Sequence, residues 1–132
     1  MKNKPPKVHE FDPELYPVRL WVIISNNTSV LSEDFKDANN NFELNIKQPN
    51  GNGAAVTLYV RRKGTVNYGA VILILSRKEL DYETVAHEST HAASIFWRHI
   101  GETEWGEEAN AYLTGWVAKC IEIAKNYKNE TK

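Results

Sequence analysis

The chain has 132 residues, 42% apolar, 25% charged and 11% aromatic, which is the make-up of one soluble globular domain with enough length for a core. A formal net charge of -1 argues against duplex DNA or an anionic membrane as a partner selected by bulk electrostatics, and no apolar run approaches a membrane span. The single cysteine, Cys120, excludes an intramolecular disulfide and is expected to act as a small buried apolar residue, sharing a helical face with Val117, Ile121 and Ala124.

Residues 1–17 carry several prolines and no apolar signal-type stretch, so they read as an extended arm on a cytoplasmic protein. One domain is expected over residues 18–128, with 129–132 as a tail. Val18 to Ser25 is apolar and β-branched enough for a buried strand. Ser32 to Ala38 suits a short helix, with Ser32 as N-cap and acids in the first turn. Phe42, Leu44 and Ile46 alternate with polar residues, as do Val56, Leu58 and Val60, and Pro49-Asn50-Gly51-Asn52-Gly53 between them is a hairpin signal. The run Arg61, Arg62, Lys63 reads as a solvated strand end rather than a phosphate site. Tyr68 to Leu75 reads as a central strand buried on both faces.

Beyond residue 80 the pattern turns helical. Asp81 can cap a helix running to about Ile100, where Gly101 suits the stop. After the loop GETEWG a second helix is expected from Glu107 to Tyr127, with Ala109, Tyr112, Trp116, Cys120 and Ile123 as its buried face. Trp97, Trp105, Trp116 and Tyr112 are expected to pack between the helices, and Trp21 within the sheet. The fold class is therefore α+β: a small, twisted, mostly antiparallel sheet packed with two helices.

His87-Glu88-Ser89-Thr90-His91 is HExxH. Residues four apart lie one turn apart on the same helix face, so two imidazoles can approach one ion. Zn²⁺ takes such nitrogens at about 2.0–2.1 Å. Glu88 is turned about 100 degrees from His87, where it can reach a water beside the ion and act as general base. A catalytic zinc needs a third protein ligand. Glu102, Glu104, Glu107 and Glu108 are the candidates near the next helix. Glu108 is preferred because Glu108, Ala111, Tyr112 and Gly115 form one stripe, whose small residues would let the helices approach closely near the metal; Glu107 is the alternative. Tyr112, Tyr82 and His99 are candidate oxyanion donors, although His99 also reads as a cation favoured by a helix C-terminus.

HESTHAA followed by EEANAYLTGW resembles the gluzincin-type metallopeptidases, particularly the small HExxH proteins of bacteriophages and prophages. The resemblance covers residues 84–117. It implies a zincin-like fold, with His87, His91 and Glu108 as Zn²⁺ ligands and Glu88 as the base. It further implies that the strand before the HExxH helix lines a cleft for a peptide or protein substrate. The chain departs from the thermolysin-like pattern at Tyr112, where that pattern has an acid orienting the first zinc histidine. The expected function is zinc-dependent hydrolysis, with no nucleic-acid or membrane partner. The alternative is a regulatory or interaction protein that keeps the zinc helix without turnover.

Overall fold

Alternating and β-branched segments assemble one sheet, and the apolar faces of two long helices cover it. The computed structural model describes residues 6–44 and 55–127. Its elements are β1 (His9–Phe11), β2 (Arg19–Ile24), α1 (Ser29–Asp34), β3 (Phe35–Asp37), β4 (Ala55–Arg62), β5 (Tyr68–Ile74), α2 (Tyr82–His99) and α3 (Glu107–Asn126). The sheet has five strands in the order β1-β2-β5-β4-β3. Only β2 and β5 run parallel; the other three pairings are antiparallel. This is the expected α+β class with a mixed sheet.

The central strands are apolar on both sides because both sides are covered. Leu20, Val22, Ala70, Ile72 and Ile74 pack against Ala92, Ala93, Phe96, Val117, Ile121 and Ala124 of the long helices. Trp21, Ile23, Val71 and Leu73 face the other way, onto Val30, Leu31, Phe35 and Leu44. The two environments alternate along each strand, as a period of two requires. On β4, Val56 and Leu58 join the second cluster while Ala55 and Tyr59 join the first. Thr57 therefore faces the helices.

Several expectations are corrected. Within the expected N-terminal arm, residues 9–11 form β1, with His9 opposite Val22 and Phe11 opposite Leu20, and residues 14–17 bend. The short helix spans Ser29–Asp34 rather than Ser32–Ala38. It ends early because Phe35 turns extended, is fully buried against Trp21 at 5.1 Å, and pairs opposite Arg62. Residues Phe42 and Leu44 form no strand; Glu43 makes one isolated bridge to Lys36, and Phe42 is exposed. Ile46, the 49–53 turn signal and the 129–132 tail lie outside the described residues.

The α2 helix begins as expected, with the Asp81 carboxylate accepting from Thr84 N–H at 2.8 Å, and Gly101 follows it at φ 79°. The inward face of α3 differs. Leu113, Val117, Cys120, Ile121 and Ala124 are buried, whereas Tyr112 is 74% and Ile123 49% exposed. Both patterns contain Cys120, and the branched aliphatic set wins because it fills the core without burying a phenol. Trp97 is buried, but Trp105 is exposed and stacks on it at 5.9 Å.

Burial pushes the Cys120 thiol up to about 12, and the side chain is 2% accessible. A thiolate is the reacting form. The native protein is therefore expected to be inert to an aromatic disulfide reagent, and to release one equivalent of chromophore only in denaturant.

Candidate metal and catalytic site

The HExxH segment lies in the middle of α2, which packs over β4 and β5. No Gly or Pro interrupts residues 82–99, so i and i+4 remain in line. His87 and His91 project to solvent, and their Nε2 atoms are 3.2 Å apart. Two nitrogens bound tetrahedrally to one zinc at the usual bond length would be separated by about 3.3 Å. The spacing is compatible with the ion, as it is with an N–H···N hydrogen bond between the two rings.

Glu88, about 100 degrees around the helix from His87, turns inward toward β4 and is 6% exposed. Its Oε1 accepts a 2.5 Å hydrogen bond from Thr57 Oγ1, which leaves Oε2 as the oxygen available to move a proton. The sequence reading missed Thr57. Its only signal was position: a hydroxyl between Ala55 and Tyr59 on alternate residues of a strand, which by itself looks like a solvent-facing site.

Glu108 is not brought to the histidines. Trp97 Nε1 donates to Asn110 Oδ1 at 2.8 Å, setting residue 110 opposite residue 97 across the antiparallel helices. Glu108 then faces the end of α2, roughly 12 Å along the axis from His91 at 1.5 Å per residue. It is exposed, as are Glu102, Glu104 and Glu107. Among the described residues, no group of three His, Cys, Asp or Glu side chains is arranged to hold a metal. The small residues of α3 do not bring the helices together either, since a Cβ added at Gly115 meets nothing within 4 Å.

The candidate oxyanion donors are also dispersed. Tyr112 lines an apolar hollow of about 380 Å³ with Pro13, Leu15, Tyr16 and Trp116, on the arm side of α3. Tyr82 stands at the start of α2, 96% exposed. His99 lies two turns beyond His91, with its Nδ1 at 2.6 Å from Tyr59 Oη and its ring stacked on Tyr68. Burial lowers its pKa from the usual histidine value, which disfavours the helix-end cation. Because the folded chain disfavours the charged ring, the stability linked to His99 is complete above its usual pKa and declines as pH falls through and below it. His9, also lowered by burial, acts in the same direction. Urea midpoints at pH 8 and pH 5.5 are expected to differ less for His99→Gln than for wild type.

No family model, curated protein or solved structure matches the chain. The site is therefore read on its own geometry.

The basic run at the end of β4 is internally engaged. Arg61 bonds Asn41 and the Thr65 carbonyl, Arg62 pairs with Glu10, and Lys63 bonds the Ser32 carbonyl and Glu43. These contacts tie a strand end to its neighbours. No described helix is long and apolar enough to cross a membrane.

Proposed function

We propose that this chain is a zincin-like, zinc-dependent hydrolase of peptide or amide bonds acting in the cytoplasm. The observation that carries the reading is the convergence of the His87 and His91 Nε2 atoms at 3.2 Å, with Glu88 held one residue away by Thr57. His87 and His91 would hold the ion. The resemblance of EEANAYLTGW to the gluzincin pattern would make Glu108 the third ligand, with Glu107 as the alternative; as folded, Glu108 stands roughly 12 Å along α2 from His91, so that ligation would require the start of α3 to move toward the histidines. A bound zinc supplies Lewis acidity and brings the pKa of a water to about 7. Glu88 Oε2 takes the proton from the attacking water and delivers it to the leaving amine nitrogen. Thr57 fixes the other carboxylate oxygen, so the base does not swing away during that transfer.

A peptide substrate is supported by the sheet edge beside Glu88. Among the described residues, β3 covers the outer side of β4 only over Val60–Arg62. An extended chain joining β4 by backbone hydrogen bonds along Ala55–Leu58 would lie beside Glu88.

The separation of Glu108 from the histidines favours a second reading, a regulatory protein that holds zinc without turnover. Elemental analysis of untagged protein tests the site, with wild type beside His87→Ala and Glu108→Ala. The expected result is about one zinc per chain, lost or sharply weakened in both variants. Loss in His87→Ala alone would remove Glu108 from the ligand set. No stoichiometric metal after zinc reconstitution would end the hydrolase reading.

A further inference from the structure

Beside the start of α3, the arm and the helix enclose the apolar hollow of about 380 Å³ that Tyr112 borders. Its walls are rigid rings: Pro13 and Tyr16 from the arm, Tyr112 and Trp116 from α3. Tyr16 is held there by its edge-on contact with Trp97 at 5.6 Å, and Trp116 by its contact with Phe96. At the rim Leu15 is 84% and Tyr112 74% exposed. A single exposed apolar side chain is ordinary on a protein surface, whereas two of them bordering one hollow mark a contact surface.

The unpaired charges around the hollow have one sign. Glu14 sits between Pro13 and Leu15 in the arm, and Glu108 lies one helical turn before Tyr112 on the same side. Glu102, Glu104 and Glu107 stand in the adjoining loop and first turn, all exposed. Among the described residues, none of these five carboxylates is in an ion pair. The bases of the region are directed elsewhere. Arg19 reaches Glu10 and Asp12, Arg98 lies toward Tyr59, and Lys119 stands on the wall of the groove on the other side of α3.

We propose that this hollow docks a basic, proline-bearing extended segment of a partner protein. Prolyl rings pack flat against aromatic-lined surfaces, and a pre-extended chain loses little entropy on docking. A lysine or arginine beside the proline would reach the Glu14 and Glu108 carboxylates, which flank the rings from the arm and from α3. A neutral segment gains nothing from that rim and an acidic one is repelled, so charge selects the partner. Glu108, distant from the histidines as folded, needs no movement to act here. The proposal does not rest on the hydrolase reading, because the HExxH side chains are no part of this surface.

Fluorescence anisotropy of a labelled peptide of repeated lysine, proline and leucine, titrated with the full chain, tests it. Micromolar binding at low salt is expected, weakening about tenfold between roughly 50 and 300 mM salt. Tyr112→Ala and Glu14→Lys are each expected to weaken it about tenfold while keeping wild-type circular dichroism. Glu88→Gln and Tyr82→Ala, both outside the hollow, should bind as wild type does, which separates docking here from capture at the HExxH helix. No binding at millimolar chain overturns the proposal. So does equal binding of the same peptide with glutamate in place of lysine, or binding that responds to Glu88→Gln but not to Tyr112→Ala and Glu14→Lys. Self-association of the chain that Tyr112→Ala abolishes would make the occupant another copy and overturn the assignment to a partner.

Discussion

Glu88→Gln is expected to lower peptide hydrolysis by on the order of a hundred- to ten-thousandfold while leaving zinc content unchanged. Glutamine has nearly the shape of glutamate, and its carbonyl oxygen can still accept from Thr57 Oγ1, as Glu88 Oε1 does at 2.5 Å. The amide cannot take a proton from water, so the chemical step loses its base while the fold and the histidine pair are preserved. Rates on a mixed peptide pool, with elemental analysis of the same samples, separate the two effects. Retained hydrolysis would remove Glu88 from the mechanism. Retained zinc with no turnover in wild type or variant would leave the regulatory reading standing. Thr57→Val is the companion change: it strands a buried carboxylate oxygen and should cost about 1–3 kcal/mol of stability, whereas Thr57→Ser keeps the donor.

Gly69→Ala is expected to destabilise the fold by on the order of 3 kcal/mol or more. Gly69 is paired with Arg19 across the parallel β2–β5 junction at the centre of the sheet. A Cβ at residue 69 would sit 1.8 Å from the Arg19 carbonyl oxygen, 2.7 Å from its carbon and 2.8 Å from its nitrogen. All three are backbone atoms, so relief requires moving a strand rather than rotating a side chain. The strands at that point carry both apolar clusters, because Leu20 and Ala70 belong to one and Trp21 and Val71 to the other. Gly115→Ala is the matched control. It meets nothing within 4 Å and should gain up to about 1 kcal/mol from helix propensity. Urea midpoints of the three proteins check the ordering, and a Gly69→Ala midpoint equal to wild type would refute the close-approach argument.

Much of the architecture was legible because it rests on local rules. The apolar run 68–75 reads as a central strand, Asp81 can cap the helix that follows, and His87 and His91 share a face once the segment is helical. The errors fell where two local solutions competed. For α3, the aromatic stripe through Tyr112 and Ile123 and the aliphatic stripe through Leu113 and Ile121 have the same period, and packing against β2 chose the second. At α1, the acids of residues 33–37 favoured a later helix, but burying Phe35 beside Trp21 favoured an early stop.

By itself the sequence determined the class of the fold, the two long helices and the one-turn spacing of the histidines, because each depends on neighbours within about four residues. Tertiary structure alone decided that Thr57 grips Glu88, that Glu108 stands toward the far end of α2, and that Gly69 cannot carry a side chain. Those depend on register between segments distant in the chain, and register is set by the summed packing of the core rather than by any residue's own preference.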